Sequence, residues 1–318
     1  MTSNPKIYVA LSTFAKQGPQ PLELLKASGY SFAVNNSGVR LSKEQLIEQA
    51  RDADGIVAGL ETYDAKILGV LPRLKCISRC GVGVDNVDLP LARQKGIAVL
   101  NTPDVVIQPV AELTIAMIFD LLRRLTAHTL LMRQKKWERH TGNLLSGKKI
   151  AVVGLGRIGR RVAEILKCLN VEVSGTDICP NEDWARGQGV RILPLEQALA
   201  QADVVTLHVS ATIENPFCLG AQQIAGMKKG SILINVSRGS LVDEQALVQA
   251  LRSGHLAGAG LDVFDKEPYC GPLCDLPNVV LTPHVASLTQ ESRLAMEIEA
   301  TQNVLNFFIK NSKQQQMP

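Results

Sequence analysis

The stretch KKIAVVGLGRIGRRVAEILK, residues 148–167, joins a short apolar run, a glycine cluster and a helical pattern. The run KIAVVG is typical of a buried strand, and RRVAEILK repeats its apolar residues at helical spacing. A G-x-G-x-x-G cluster between a strand and a helix indicates a dinucleotide site. The stretch therefore predicts the start of a nucleotide-binding domain, although it begins almost halfway along a chain of 318 residues.

Strand-like and helix-like patterns alternate on both sides of this stretch. The first series has strand-like runs at 6–12, 55–59, 76–80 and 97–101, with helical patterns at 42–52 and 88–95. The second series has strand-like runs from Lys149 and at 171–177, 203–209, 231–237, 257–264 and 278–284. Long helical patterns at about 107–136 and at 289–310 follow the two series. This alternation predicts an α/β fold with two doubly wound parallel-sheet domains.

The glycine cluster GLGRIG predicts the geometry of a phosphate-binding turn. Gly154 permits a tight turn, Gly156 lets the backbone approach a pyrophosphate, and Gly159 lets the helix pack closely on the strand. The N–H groups of Arg157 and Ile158 at the helix start are then available to phosphate oxygens. Two alternatives stay open at this point: a glycine turn that serves packing alone, and an S-adenosylmethionine site.

Asp177 ends the next strand-like run, 18 positions beyond Gly159, where a carboxylate accepts hydrogen bonds from the adenosine ribose. The same carboxylate repels a 2′-phosphate, and no arginine follows it directly, so NAD is predicted rather than NADP. Val209 and Val236, at or near the ends of later strand-like runs, are predicted to line the same cofactor site.

Composition narrows the possible partners. The formal net charge of +4 is small and spread along the chain, so we predict no nucleic-acid partner and no membrane association. The seven cysteines form no CxxC motif, which favours reduced thiols in a cytoplasmic protein and no metal. The CxxxC spacings 76/80 and 270/274 leave a metal site as the alternative interpretation.

Chemically useful side chains follow the later strand-like runs of the second series. Arg238 follows 231–237, Asp262 and Glu267 belong to the next run and its loop, and His284 ends the last run. Ligands of open α/β sheets bind at these carboxyl ends. Each residue also has an ordinary alternative: a helix-capping cation, a solvated loop carboxylate or a hydrogen-bonded structural histidine. A guanidinium, a carboxylate and an imidazole at successive strand ends together indicate a catalytic site.

Six stretches carry a resemblance to a known family. They are RCGVGVDNVDL (79–89), NTPD with VAELTIAMI (101–118), VVGLGRIGR (152–160), INVSRGSLVDEQAL (234–247), AGLDVFDKEP (259–268) and LTPHVASLT (281–289). In these the chain resembles the D-isomer-specific 2-hydroxyacid dehydrogenases, and most of all their 3-phosphoglycerate dehydrogenase branch. The resemblance implies a Rossmann NAD-binding domain (102–285) inserted into a flavodoxin-like substrate-binding domain (1–101 with 286–318). Such an insertion explains the position of the glycine cluster.

The resemblance also implies a catalytic role for Arg238, Glu267 and His284. Reduction of a 2-keto acid needs a hydride from the nicotinamide and a proton, and imidazole can exchange protons at physiological pH. Glu267 would orient the ring and favour imidazolium, while Arg238 would bind the substrate carboxylate and keto oxygen. Asp262 is expected to hold the nicotinamide amide or to tune Glu267. Main-chain N–H groups of Gly81, Val82 and Gly83 are expected to bind the substrate carboxylate, the alternative being a glycine turn for chain reversal.

The chain departs from the family pattern in two places that bear on its substrate and cofactor. AGLETYD (58–64) has no arginine where 3-phosphoglycerate dehydrogenases bind phosphate, and Ser210 replaces a usual proline beside the cofactor. The best single substrate is 3-phosphoglycerate, and the alternative is a glyoxylate or hydroxypyruvate reductase. A third hypothesis, from another class, is an NAD-sensing corepressor-like binding protein. The family further implies a homodimer with the helix near 107–125 at its interface.

Overall fold

The computed structural model describes residues 4–210 and 217–314. The chain divides into two compact units, Met1–Val106 with Leu288–Pro318 and Ile107–Ser287, referred to below as unit 1 and unit 2. The boundaries lie a few residues beyond the predicted ones, because the chain passes into unit 2 where a helix starts at Ile107. No helix in the described part of the chain has the length and apolar character needed to cross a membrane.

The N-terminal part of unit 1 is a parallel sheet with a helix after each of its first four strands. Its strands are β1 (Lys6–Val9), β2 (Ser31–Val34), β3 (Gly55–Ala58), β4 (Cys76–Arg79) and β5 (Ala98–Leu100). Its helices are α1 (Gln20–Ala27), α2 (Lys43–Ala50), α3 (Ala65–Val70) and α4 (Leu89–Gln94). The strand order β2-β1-β3-β4-β5 is the flavodoxin-like order, which reverses direction beside β1.

Unit 2 begins with a helical segment and continues as a larger parallel sheet. The helices are α5 (Ile107–Arg123), α6 (Leu125–Arg133), α7 (Arg157–Lys167), α8 (Glu182–Gln188), α9 (Leu195–Gln201), α10 (Ala221–Ala225) and α11 (Glu244–Arg252). The strands are β6 (Lys149–Val153), β7 (Glu172–Thr176), β8 (Arg191–Ile192), β9 (Val204–Leu207), β10 (Ser231–Asn235), β11 (Leu256–Leu261) and β12 (Val279–Leu281). Their order, β12-β11-β10-β9-β6-β7-β8, contains the Rossmann arrangement with its switch point between β6 and β9.

The last helix, α12 (Gln290–Gln314), returns to unit 1, where it packs against α1 and strands β3 and β4. Central strands of both sheets are continuous runs of buried aliphatic residues, as expected for parallel strands covered by helices on both faces. Ile56 and Ile77 in unit 1 and Ile150 and Leu233 in unit 2 are fully buried. The predicted fold class, two doubly wound parallel-sheet α/β domains, is confirmed.

The prediction of one long helix at about 107–136 is wrong. α5 and α6 are separated at Arg124, whose φ of 53° lies in the left-handed region and interrupts the helix. The Asp120 carboxylate accepts hydrogen bonds from the main-chain N–H (2.8 Å) and the hydroxyl (2.5 Å) of Thr126, in the first turn of α6. A carboxylate bonded at a helix start stabilises the new helix, so the break is built into the sequence.

Candidate active site

The glycine turn after β6 leaves no room for a side chain at its first position. Gly154 has φ of +92°, and a Cβ there would lie 2.6 Å from the carbonyl oxygen of His208 and 2.9 Å from the nitrogen of Val209. Both the dihedral angle and the contact therefore require glycine. The turn thus packs directly on the carboxyl end of β9, beside the switch point of the sheet.

The two later glycines differ in what surrounds them. A Cβ on Gly159 would lie 1.9 Å from the Gly154 carbonyl oxygen, so this glycine allows α7 to start against the turn. Gly156 is the N-cap of α7 and has no atom near its missing Cβ, which leaves the backbone open to a ligand. The N–H groups of Arg157 and Ile158 lie in the first turn of α7, where the positive end of the helix dipole suits an anion. The turn therefore fits the pyrophosphate of a dinucleotide.

Asp177 lies at the edge of this turn. One of its carboxylate oxygens accepts from the Leu155 N–H at 2.6 Å, and the other accepts from the Cys179 N–H at 2.9 Å. Each carboxylate oxygen can accept a second hydrogen bond, so a pair of ribose hydroxyls can still be bound. The Leu155 contact means that the carboxylate also holds the glycine turn in place.

His208, which follows β9, was missed at the sequence level. Its ring is buried, its Nε2 lies 2.9 Å from the Thr206 hydroxyl, and burial lowers its pKa from 6.5 to about 3. It is therefore a neutral support beneath the turn at neutral pH. Val209, the next residue, is half-buried, and Val236 after β10 is buried. The feature of the sequence that could have identified His208 is its position at the end of a strand-like run.

A histidine–carboxylate pair lies at the carboxyl ends of β11 and β12. His284 Nδ1 is 2.9 Å from Glu267 Oε2, and the other Glu267 oxygen accepts from the Phe264 N–H at 3.1 Å. The side chains of His284 and Glu267 are 42% and 38% exposed, so the pair is open to a ligand. With Nδ1 bound to the carboxylate, Nε2 is the ring nitrogen available to a substrate.

Asp262 holds the loop that carries His284. Its carboxylate is fully buried and accepts from the Thr282 hydroxyl (2.5 Å) and from the N–H groups of Val285 and Ala286 (both 2.8 Å). Between these anchors, His284 adopts φ of +55°, which is uncommon for a residue with a Cβ, and its N–H donates to the Asp262 carbonyl at 2.9 Å. Asp262 thus holds the backbone that carries the imidazole.

Arg238 lies in the loop after β10, next to the loop that carries Glu267. The Asn235 amide donates to the Arg238 carbonyl at 2.8 Å, and Arg238 Nη1 donates to the Ser237 carbonyl at 2.7 Å. A Cβ on the following Gly239 would lie 2.0 Å from the carbonyl carbon of Phe264, so the two loops are in backbone contact. The structure therefore brings the three predicted catalytic residues to the ends of three neighbouring strands.

The predicted substrate loop of unit 1 follows β4. The Gly81 N–H is already used, since it donates to the Thr102 hydroxyl at 2.8 Å. The N–H groups of Val82 and Gly83 donate to no residue that the structure describes, and the Asn101 amide fixes the Val82 carbonyl at 2.7 Å. Of the three predicted donors, Val82 and Gly83 are therefore the two left for a ligand.

Comparison with known proteins assigns the chain to a family. The model of the D-isomer specific 2-hydroxyacid dehydrogenases, NAD binding domain, matches residues 115–286, which is more than half of the chain. The chain belongs to the D-isomer specific 2-hydroxyacid dehydrogenase family. The matched segment contains the glycine turn, Asp177 and the loops with Arg238, Glu267 and His284. The predictions of this family, of an oxidoreductase and of NAD as its cofactor are confirmed.

Relatives within this family carry different names. A glyoxylate reductase from Korarchaeum cryptofilum is 37% identical over 275 residues, covering 84% of this chain and 83% of that protein. A D-3-phosphoglycerate dehydrogenase from Archaeoglobus fulgidus is 36% identical over 292 residues, covering 90% of this chain but 55% of that protein. The solved TT0316 protein from Thermus thermophilus is 35% identical with a TM-score of 0.86, covering 94% of this chain and 96% of that one. Membership alone leaves the substrate open.

Proposed function

We propose that this 2-hydroxyacid dehydrogenase interconverts a 2-hydroxy acid and its 2-keto acid, with 3-phosphoglycerate as the best single substrate. The observation that carries the reaction type is the 2.9 Å pair between His284 and Glu267 at the carboxyl edge of the NAD-binding sheet. When bound, NAD would accept or supply the hydride. The residues of the chain therefore need to bind the acid, orient it and move one proton.

His284 is the proposed acid and base. Its Nε2 gives a proton to the carbonyl oxygen during reduction and takes it from the hydroxyl during oxidation. Glu267 keeps the proton of the ring on Nδ1 and fixes the ring plane. Arg238 presents a charged fork to the substrate carboxylate and carbonyl oxygen, a contact that favours one orientation of a planar 2-keto acid.

We propose that Asp262 acts through the backbone of His284. Three hydrogen bonds already reach its buried carboxylate, from Thr282, Val285 and Ala286. These bonds restrict the 282–286 loop to one conformation and so fix the position of the imidazole at the strand ends. The expected contact between Asp262 and the nicotinamide amide stays a prediction.

The proposed NAD contacts are the backbone around Gly154, Gly156 and Gly159, the helix start at Arg157 and Ile158, and Asp177. The open backbone at Gly156 and the spare acceptor capacity of Asp177 support them. Val209, Val236, Asp262, Arg238 and His284 complete the proposed cofactor set. In unit 1, the proposed substrate contacts are the N–H groups around Gly81, Val82 and Gly83, of which those of Val82 and Gly83 have no acceptor among the described residues.

A glyoxylate or hydroxypyruvate reductase is the competing proposal, supported by the absence of arginine from residues 58–64. An NADH-oxidation panel of glyoxylate, hydroxypyruvate and phosphohydroxypyruvate separates the two. Preference for phosphohydroxypyruvate in kcat/KM supports the first substrate, and turnover of the other two alone transfers the assignment to the second. Failure on all three substrates contradicts the dehydrogenase proposal itself.

We also propose that the protein is a cytoplasmic homodimer. No residue of α6 is buried, and its exposed Leu125, Leu130 and Met132 are followed by Trp137, which is 81% exposed. Several exposed large apolar side chains within one short segment are typical of a protein interface. Light scattering after size-exclusion chromatography is expected to give a dimer mass for the wild type and a monomer mass for Leu130→Ser with Trp137→Ser. A monomeric wild type contradicts the proposal.

A further inference from the structure

An arginine reaches the loop after β3, although that loop, residues 59–64, contains none. Arg40 lies in the loop between β2 and α2, and its guanidinium donates to the carbonyl of Leu60. The sheet order explains the contact, because β2 and β3 flank β1 and their carboxyl ends lie at the same edge. The loop after β2 therefore supplies the positive charge that is absent from the sequence of the loop after β3.

The charge of Arg40 is not neutralised by a carboxylate within the described residues. Its one hydrogen bond uses a main-chain carbonyl, while a guanidinium has five N–H donors in a planar fork. Its side chain is exposed. Arg40 can therefore pair with an oxyanion through its remaining donors without breaking an ion pair.

A groove of about 220 Å³ opens beside this guanidinium. It is lined by Arg40, Leu41, Ser42, Lys43, Leu46, Glu61 and Thr62. Pockets for whole drug-sized ligands start at roughly 300 Å³, so this volume suits one end of a small acid rather than a dinucleotide. The groove also begins at the N-terminus of α2, where the helix dipole favours negative charge.

The other charged groups of the groove are already engaged. Lys43 is paired with Asp64, whose carboxylate also accepts from the Ile67 N–H at 3.1 Å and caps α3. The Glu61 carboxylate is buried and accepts from the Gly59 N–H at 2.9 Å, so it is bound to its own loop. Its negative charge excludes an anion from the floor of the groove. The place left for an oxyanion is the rim, between Arg40 and the exposed Thr62.

The rim is tied to the glycine loop that follows β4. The Asn86 amide donates to the carbonyls of Glu61 (2.5 Å) and Gly59 (3.3 Å), so the loops after β3 and β4 share hydrogen bonds. Neighbouring strands lie about 5 Å apart, and the β4 loop is one strand from Thr62 after β3 and three strands from Arg40 after β2, so the rim lies on the order of 5–15 Å from the N–H groups of Val82 and Gly83. A three-carbon acid phosphate with a hydrogen bond at each end spans ~11 Å, which falls within this range.

We propose that Arg40, with Thr62, binds a second anionic group on the substrate, a phosphate or a carboxylate, while the glycine loop binds the 2-keto acid carboxylate. This inference rests on the proposed function and refines it. Arg40 is then a specificity residue, because it contributes affinity to acids that are charged at both ends and none to glyoxylate or hydroxypyruvate.

The test compares Arg40→Met with Arg51→Met, its matched control. Arg51 is exposed and lies at the opposite end of α2, ~12 Å away along the helix axis. The substrates are phosphohydroxypyruvate (phosphate), oxaloacetate (second carboxylate) and hydroxypyruvate (no second anion). Arg40→Met is expected to raise KM at least tenfold for the doubly charged substrate that the wild type prefers, with kcat within twofold. Its kcat/KM for hydroxypyruvate, and every constant of Arg51→Met, are expected to stay within twofold.

The kinetic measurements with phosphohydroxypyruvate and with oxaloacetate identify the anion that the wild type prefers. Equal losses on all three substrates, or no loss on any, overturn the inference while leaving the dehydrogenase proposal standing. Calorimetric titration with D-3-phosphoglycerate and with D-malate tests the subsite without turnover. Tighter binding to the wild type than to Arg40→Met supports the inference, and equal or undetectable binding of both acids to both proteins overturns it. Failure of every 2-keto acid in the activity assay instead removes the proposed function.

Discussion

The carboxyl edges of the two sheets have the same architecture but present different chemistry. At the edge of unit 2, side chains that can exchange protons or bind carboxylates stand on neighbouring strand ends, and His284 and Glu267 are in direct contact. At the edge of unit 1, the groups proposed to bind the substrate are the main-chain N–H donors of Val82 and Gly83 and the guanidinium of Arg40 from a nearby loop. We infer that the reaction depends on the first edge, and that the choice of substrate depends on the second.

The difference has a structural origin in how each edge is held. In unit 2, the buried Asp262 carboxylate fixes the loop that carries the imidazole, so the reactive group is positioned by a charge. In unit 1, Asn86 and Thr102 hold the glycine loop by neutral hydrogen bonds. Variants of His284 and Asp262 at the first edge are expected to change kcat, and variants of the second edge to change KM.

The largest effect is expected for His284→Ala. Removing the proposed acid lowers kcat by ~10²–10⁴-fold, since that is the usual contribution of general acid–base catalysis. NADH affinity, measured by fluorescence, is expected to stay within threefold. His255→Gln is the control, because His255 lies in the same unit, before the first residue of β11, and bonds to the Ile224 carbonyl away from the carboxyl ends of the strands. A His284→Ala enzyme with most of its activity contradicts the assignment of chemistry to unit 2.

Asp262→Asn tests whether the buried carboxylate works through the histidine backbone. An amide can accept from Thr282 and Val285 but places a donor against the Ala286 N–H, and such a mismatch costs about 1–3 kcal/mol of stability. We expect kcat to fall ~10–100-fold while NADH affinity is nearly unchanged. The cofactor analogue with a 3-acetyl group replacing the amide provides the control. If the analogue weakens binding to the wild type but not to Asp262→Asn, the predicted contact between Asp262 and the nicotinamide amide is supported. An unchanged kcat in Asp262→Asn contradicts the role of Asp262 through the histidine backbone.

Asp177→Ala is expected to change the binding and choice of cofactor while leaving the proposed proton donor, His284, intact. Loss of one charge-assisted hydrogen bond to the ribose is expected to weaken NAD binding ~10–100-fold, since one such bond contributes about 1.5–3 kcal/mol. Removal of the carboxylate also relieves repulsion of a 2′-phosphate, so the ratio of NAD to NADP in kcat/KM should fall. Asp183→Ala, at an exposed position in the first turn of α8, is the matched control. An unchanged ratio shows that Asp177 does not select the cofactor.

The smallest effect is expected for Asn86→Ala in unit 1. This change removes the hydrogen bonds that tie the glycine loop to the carbonyls of Gly59 and Glu61. We expect KM for the keto acid to rise about fivefold, the equivalent of one neutral hydrogen bond, with kcat within twofold. Asn36→Ala, in the loop after β2, is the control. A fall in kcat comparable with that of Asp262→Asn contradicts the division of labour between the two edges.

Prediction from the sequence succeeded for elements whose residue pattern lies within one continuous segment. The central strands were predicted because runs of Val and Ile are typical of strands buried on both faces. β2 and β8 were missed, since β2 is an edge strand with no fully buried residue and β8 has two residues. The helix predicted at 107–136 fails at Arg124, because helical periodicity continues in the side chains while one left-handed residue turns the backbone.

The fold class, the NAD turn and the family could be inferred from the order of residues along the chain, because each depends on residues that are adjacent or at fixed spacing. The contact between His284 and Glu267, the support from Asp262 and the position of Arg40 over Leu60 were decided by the tertiary structure. These groups are separated along the chain and meet because parallel strands end at a common edge. Spacing along a chain reports local backbone geometry, whereas the order of strands in a sheet decides which loops become neighbours.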